Sequence, residues 1–194
     1  MHNMRTILLA SASPRRKEIL EKTGLKFRVE ESDYEENMDM GLKPHDLAAR
    51  HALGKAKAAA VRHGRALIIS ADTIVVLKDR VFGKPRNRKE AKEMLKTLSG
   101  KAHTVITGYT IMDAITGKKI TKTVETKVFF KRLTDHEIDA YIKSGEPMDK
   151  AGAYGVQGLG ALIVRKIEGD FFNVMGLPLS SVAENLKKFG VKVL

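Results

Sequence analysis

Short apolar and β-branched runs alternate along this chain with segments of helical periodicity, and strands that feed helices through short turns pack side by side beneath those helices. Residues 6–10 read as a buried strand, and residues 14–22 as a helix with Ile19 and Leu20 inward, ended by Gly24. Residues 26–30 read as a second strand, residues 30–39 as an acidic loop, and residues 44–63 as an Ala-rich helix closed by Gly64. Residues 66–77 form another buried run, which the polar Ala71-Asp72-Thr73 step is expected to interrupt. A helix over residues 87–98 stops at Ser99-Gly100, and residues 103–112 and 119–133 read as two strands around a hairpin. Thr134-Asp135-His136-Glu137 is a capping box that opens a helix to Ser144. Residues 162–167 and 171–174 read as a last pair of strands, before a final helix over residues 179–189. The expected class is α/β with a mixed sheet. The length of 194 residues suits a single domain.

Composition narrows the chemistry. The chain has no cysteine, which excludes disulfides, thiolate zinc sites and a cysteine nucleophile. No apolar run reaches the length of a membrane helix, and the five-residue apolar stretch near the start is too short for a signal peptide, so a cytoplasmic protein is expected. A net charge of +12 favours polyanionic partners. Nucleic-acid binders add exposed aromatics for stacking, whereas this chain has no Trp and only 4 Tyr and 7 Phe, most of the Phe in apolar stretches. The six histidines (2, 45, 51, 63, 103 and 136) lack close ligand spacing, so no histidine zinc site is expected.

Two places carry most of the chemical promise. Ser11 to Lys17 sits at the junction of the first strand and helix. Ser13 can cap there and Pro14 suits the first helical position, while Arg15, Arg16 and Lys17 oppose the helix dipole unless an anion repays them. A helix start with hydroxyls and guanidiniums can hold phosphates. Asp72, a lone carboxylate in an apolar run, reads either as a turn residue bonding its own backbone or as a general base or metal ligand. Glu35 and Glu36 offer a second carboxylate or are simply solvated. Lys55 and Lys57 read by default as a solvated helix face, and Lys84 in Gly83-Lys84-Pro85 presents an ammonium from a turn. The Gly-rich residues 150–160 match neither a Walker loop nor a dinucleotide fingerprint. Their glycines allow close backbone approach, and Gln157 offers an amide to a base edge; a tight structural loop is the competing reading.

The Ser11-Ala12-Ser13-Pro14-Arg15-Arg16 start, Ala71-Asp72-Thr73, Gly83-Lys84-Pro85, Leu98-Ser99-Gly100 and the stretch from Asp149 to Gly158 together resemble, in order and over nearly the whole chain, the Maf family of nucleoside triphosphate pyrophosphatases. The last motif is similar to the branch that acts on dTTP and UTP rather than on 7-methyl-GTP. The resemblance implies an elongated α/β fold akin to inosine triphosphate pyrophosphatases, with two lobes and a cleft. It further implies metal-dependent hydrolysis between the α and β phosphates, with Mg2+ as the expected ion and Mn2+ or Co2+ as substitutes. Asp72 is then the proton acceptor, and Arg15, Thr73 and Gln157 set base specificity. Ser11, Ser13, Arg16, Lys55 and Lys84 bind phosphates, and Glu36 joins Asp72 at the metal, with Glu35 as the competing choice. The expected partner is a small nucleotide, with no membrane and no nucleic acid; a homodimer is a guess that no residue supports. Two other classes remain: a nucleic-acid binder, which a salt-dependent gel shift would reveal, and a nucleotide-dependent regulator of cell division with incidental hydrolysis.

Overall fold

In the computed structural model, which describes residues 5–193, the chain runs β1 (Ile7–Ala10), α1 (Pro14–Glu21), β2 (Phe27–Glu30), α2 (Pro44–Arg62), β3 (Leu67–Leu77), β4 (Arg80–Phe82) and α3 (Arg88–Leu98). It continues through β5 (Ala102–Asp113), β6 (Lys119–Phe130), α4 (Asp135–Lys143), β7 (Val164–Glu168), α5 (Phe171–Met175) and α6 (Leu179–Leu186). The strands form one seven-stranded sheet of order β2-β1-β3-β5-β6-β7, with β4 paired to β3. β1 runs parallel to β2 and β3, while β3–β4 and β6–β7 are antiparallel, so the sheet is mixed as expected. No helix among the described residues is long and apolar enough to cross a membrane.

The chain forms two compact units, and β3, β5 and β6 each contribute residues to both. The first unit comprises Met1–Asp72, Thr107–Val124 and Gly176–Leu194. Its centre is α2 against β1 and β3, where Leu8, Ala10, Ala56, Ala59, Ala66 and Ile68 are all buried. The alanines of α2 let its backbone approach the sheet closely. Ser70 donates from Oγ to the Ala52 carbonyl at 2.7 Å, and a Cβ on Gly108 of β5 would stand only 2.4 Å from the Ala48 carbonyl. Burial on both sides explains why residues 67–72 are buried without alternation.

The second unit comprises Thr73–Ile106 and Glu125–Met175. Asn87 caps α3 through the Glu90 amide at 2.9 Å, and the expected capping box at Thr134 and Glu137 is present. Two readings are corrected here. Ala71-Asp72-Thr73 does not interrupt β3, because the Asp72 side chain finds its partners on α2 and leaves the strand backbone undisturbed. Residues 171–174 are not a strand, so β7 pairs with β6 alone. Asp170 Oδ1 accepts from the amides of Phe172 at 2.7 Å and Asn173 at 3.1 Å, and this cap outweighs the strand preference of Phe171 and Phe172. The three-residue β4, beyond a turn in which Lys78 has φ +55°, is not expected from sequence.

His103, Phe130 and Tyr154 pack edge to face in this unit, with His103 Nε2 at 2.7 Å from the Tyr154 hydroxyl. Burial lowers the His103 pKa to about 4, so the ring is neutral in the fold. The unfolded chain then binds more protons than the native one from about pH 6.5 down to about pH 4. Stability is therefore expected to fall by roughly 3 kcal/mol over that window as pH drops. Denaturant unfolding of the wild type and His103→Gln checks this: the variant should lose that part of the pH dependence, and parallel profiles would refute it.

Candidate active site

Asp72 is the last residue of β3 in the first unit and is only 5% exposed. A carboxylate so enclosed needs donors, and α2 supplies them from residues four apart on one face. Lys55 Nζ donates to Asp72 Oδ1 at 2.7 Å, and His51 Nδ1 lies 3.1 Å from Oδ2. His51 Nε2 is 3.0 Å from the Asn37 carbonyl oxygen. Both neighbours of the ring are acceptors, an arrangement that favours the imidazole with a proton on each nitrogen. The bond to Asp72 is the main reason that the His51 pKa is raised, against the opposing effect of burial.

The acidic loop is held over the same face of α2. The Tyr34 ring occupies the space that a Cβ on Gly54 would need and sits 5.9 Å from the His51 ring, centroid to centroid. Glu36 then reaches Lys55, with Oε1 at 2.5 Å from Nζ, so Lys55 bridges two carboxylates. Of the two candidate glutamates, the structure brings Glu36 to this cluster.

Ser13 takes the N-cap position of α1 but makes no side-chain cap bond; its amide instead donates to Ser11 Oγ at 3.2 Å. The basic first turn is resolved in part by Arg16, whose Nε donates to the Gly176 carbonyl at 2.8 Å and whose Nη1 donates to Ser11 Oγ at 3.2 Å. Burial lowers the Arg16 pKa, while Asp72 and Glu36 pull it upward. The guanidinium stays charged. For Asp72, burial would raise the carboxyl pKa, but the His51 bond and the charges of Lys55 and Arg16 outweigh it and hold the group well below the usual carboxylate range.

Ser11, Arg16, Glu36, Lys55 and Asp72 are thus gathered in the first unit, with Arg15 half-buried in the first turn of α1. The expectation that Lys55 lies on a solvated face is corrected, for it is 8% exposed. Thr73, Lys84 and Gln157 belong to the second unit: Thr73 is half-buried in β3, Lys84 exposed and Gln157 half-buried. Sequence reasoning missed His51. Glu36, His51 and Asp72 each offer one ligand atom, and all three atoms lie within 4.8 Å of one another. The two carboxylates suit a hard divalent cation, whereas His51 would have to give up a ring proton before it could ligate one. The partners meet in space rather than at close spacing in sequence.

The family model for the Maf-like protein matches residues 6–189. A dTTP/UTP pyrophosphatase of Desulforamulus reducens is 48% identical over 191 residues, covering 98% of this chain and 100% of that protein. Proteins of the same name from Methanosarcina barkeri and Bacillus cereus are 48% and 47% identical over 98% of this chain, covering 97% and 93% of their own lengths. Matched from the first strand to the end of the last helical segment, and nearly half identical to relatives of its own length, this chain belongs to the Maf family.

Proposed function

We propose that this protein hydrolyses dTTP and UTP to the nucleoside monophosphate and pyrophosphate, with Asp72 as the group that accepts a proton from the attacking water. The observation that carries the reading is the buried Asp72 carboxylate ringed by Lys55, His51 and Arg16. Cleavage between the α and β phosphates needs positive charge at the leaving pyrophosphate and a base beside the water, and no covalent nucleophile. Both are within one cluster. Without substrate the cations spend their charge on Asp72 and Glu36. A triphosphate competes for the same donors. As Lys55 and Arg16 turn toward phosphate oxygens, the restraint on the Asp72 pKa relaxes and the carboxylate becomes a better proton acceptor. Asp72 and Glu36 would hold a divalent metal, with Mg2+ suited to the two carboxylates, while His51 orients the Asp72 carboxylate through its Nδ1 bond. Such an ion supplies charge that offsets the negative charge of the leaving group.

The test is release of pyrophosphate and monophosphate from dTTP, UTP, CTP, dCTP, ATP, GTP and 7-methyl-GTP, with Mg2+ and with chelator. Metal-dependent cleavage favouring dTTP and UTP is expected; no hydrolysis by folded protein would overturn the reading. In this reading Arg15, Thr73 and Gln157 face the base, while Ser11, Ser13 and Lys84 join Arg16 and Lys55 on the phosphates. Gln157→Ala is expected to change the kcat/KM ratio between dTTP and dCTP by about tenfold, more than it changes kcat on dTTP. An unaltered ratio would assign Gln157 a purely structural role.

A further inference from the structure

The segment that carries Gln157 is tied after that residue to the Glu146 carboxylate, and before it to the Tyr141 phenol that the same carboxylate holds. Glu146, in a 3-10 turn spanning Glu146–Asp149, accepts through Oε1 from the Tyr141 hydroxyl at 2.9 Å and the Gly160 amide at 3.0 Å. Through Oε2 it accepts from the Leu159 amide at 2.9 Å. Tyr141 Oη in turn accepts from the Gly155 amide at 3.1 Å. Burial raises the Tyr141 pKa, which keeps that hydroxyl protonated and donating. The glycines make the tie possible. A Cβ on Gly160 would stand 2.0 Å from the Gly155 carbonyl oxygen, and one on Gly158 would stand 2.6 Å from Glu146 Oε2. The backbone before and after Gln157 thus converges on one carboxylate and one phenol, all within the second unit.

We propose that Glu146 is a positioning residue for base discrimination, which it exerts by fixing the backbone on either side of Gln157. The proposal rests on the reading of Gln157 as a residue that faces the base. Discrimination by hydrogen bonds tolerates little displacement of the donor and acceptor, and a glycine-rich segment has no stiffness of its own. Removing the carboxylate leaves two amides and a hydroxyl without their acceptor, so the segment relaxes to find others. Glu146 itself need not touch substrate.

The experiment measures the kcat/KM ratio between dTTP and dCTP in Glu146→Ala, Glu146→Gln, Tyr141→Phe, Gln157→Ala and the double variant Glu146→Ala/Gln157→Ala. Glu146→Ala is expected to lower the ratio by about tenfold, mainly through KM for dTTP, with kcat within a few-fold of wild type. Glu146→Gln keeps an acceptor oxygen and should restore part of the ratio, and Tyr141→Phe should lower it by less. The double variant should be no less selective than Gln157→Ala alone, because the two act through one contact. A ratio that responds to Gln157→Ala but not to Glu146→Ala or Tyr141→Phe overturns the positioning role alone, as does a double variant with additive losses. A ratio that ignores Gln157→Ala but responds to Glu146→Ala refutes the reading of Gln157 and the route proposed for Glu146 with it. Should Glu146→Ala fail to fold, Tyr141→Phe decides, since it keeps the buried ring and removes only the hydroxyl.

Discussion

Asp72→Asn is expected to lower turnover of dTTP by about 100-fold or more while the protein stays folded. Asn has the same shape, and its carbonyl oxygen can still accept from Lys55, so the packing between β3 and α2 is retained. What is lost is the charge and the ability to take a proton. Because the Asp72 pKa is lowered in the fold, the carboxylate contributes to stability at neutral pH and the contribution fades only as pH falls into the acid range. The variant should therefore melt somewhat earlier than wild type at neutral pH, and the gap should close on acidification. Steady-state kinetics paired with thermal melts make the check. A folded Asp72→Asn with wild-type turnover would remove Asp72 from the chemistry.

Lys55→Met should damage stability and activity together. Lys55 Nζ bridges Asp72 and Glu36 at 2.7 and 2.5 Å, and Met fills much the same volume without the charge. Breaking a buried ion pair by removing one partner costs about 3–5 kcal/mol. Glu36 is half-exposed and can turn to water, which places the loss toward the lower figure, at about 3 kcal/mol. Asp72 cannot turn away. Activity should fall by about 100-fold, since the variant loses a cation for the phosphates and leaves two carboxylates facing each other. Lys55→Arg should not restore it, because the planar guanidinium does not fit a compact bridge between two oxygens. Denaturant unfolding with an unchanged m-value, together with kcat/KM, tests both parts. A stability within about 1 kcal/mol of wild type and activity within a few-fold would show that the bridge is incidental.

The alternation of strands and helices is legible because an apolar run before a periodic segment has few other ways to pack, and Asp72 stands out because a charge in such a run requires partners. The partners were harder to read. His51 precedes Lys55 by one helical turn, but alanines recur around much of α2 itself, so no stripe of large apolar residues marks which side is buried. Glu36 and Glu35 sit in a loop without periodicity, and only the reach of Lys55 in space separates them. The helix at Phe171–Met175 hides behind two aromatics that suit a strand, although Asp170 ahead of them is the cap that decides the matter. Glu146 carries no mark in the sequence. Its role depends on amides from residues 13 and 14 positions away, which no local pattern predicts.

The most direct test of the central claim, water attack at the α phosphorus beside Asp72, is hydrolysis of dTTP in 18O-labelled water with mass analysis of both products. The account predicts one labelled oxygen in the monophosphate and none in the pyrophosphate. Label in pyrophosphate, or release of labelled orthophosphate, would place the attack at another phosphorus and contradict it.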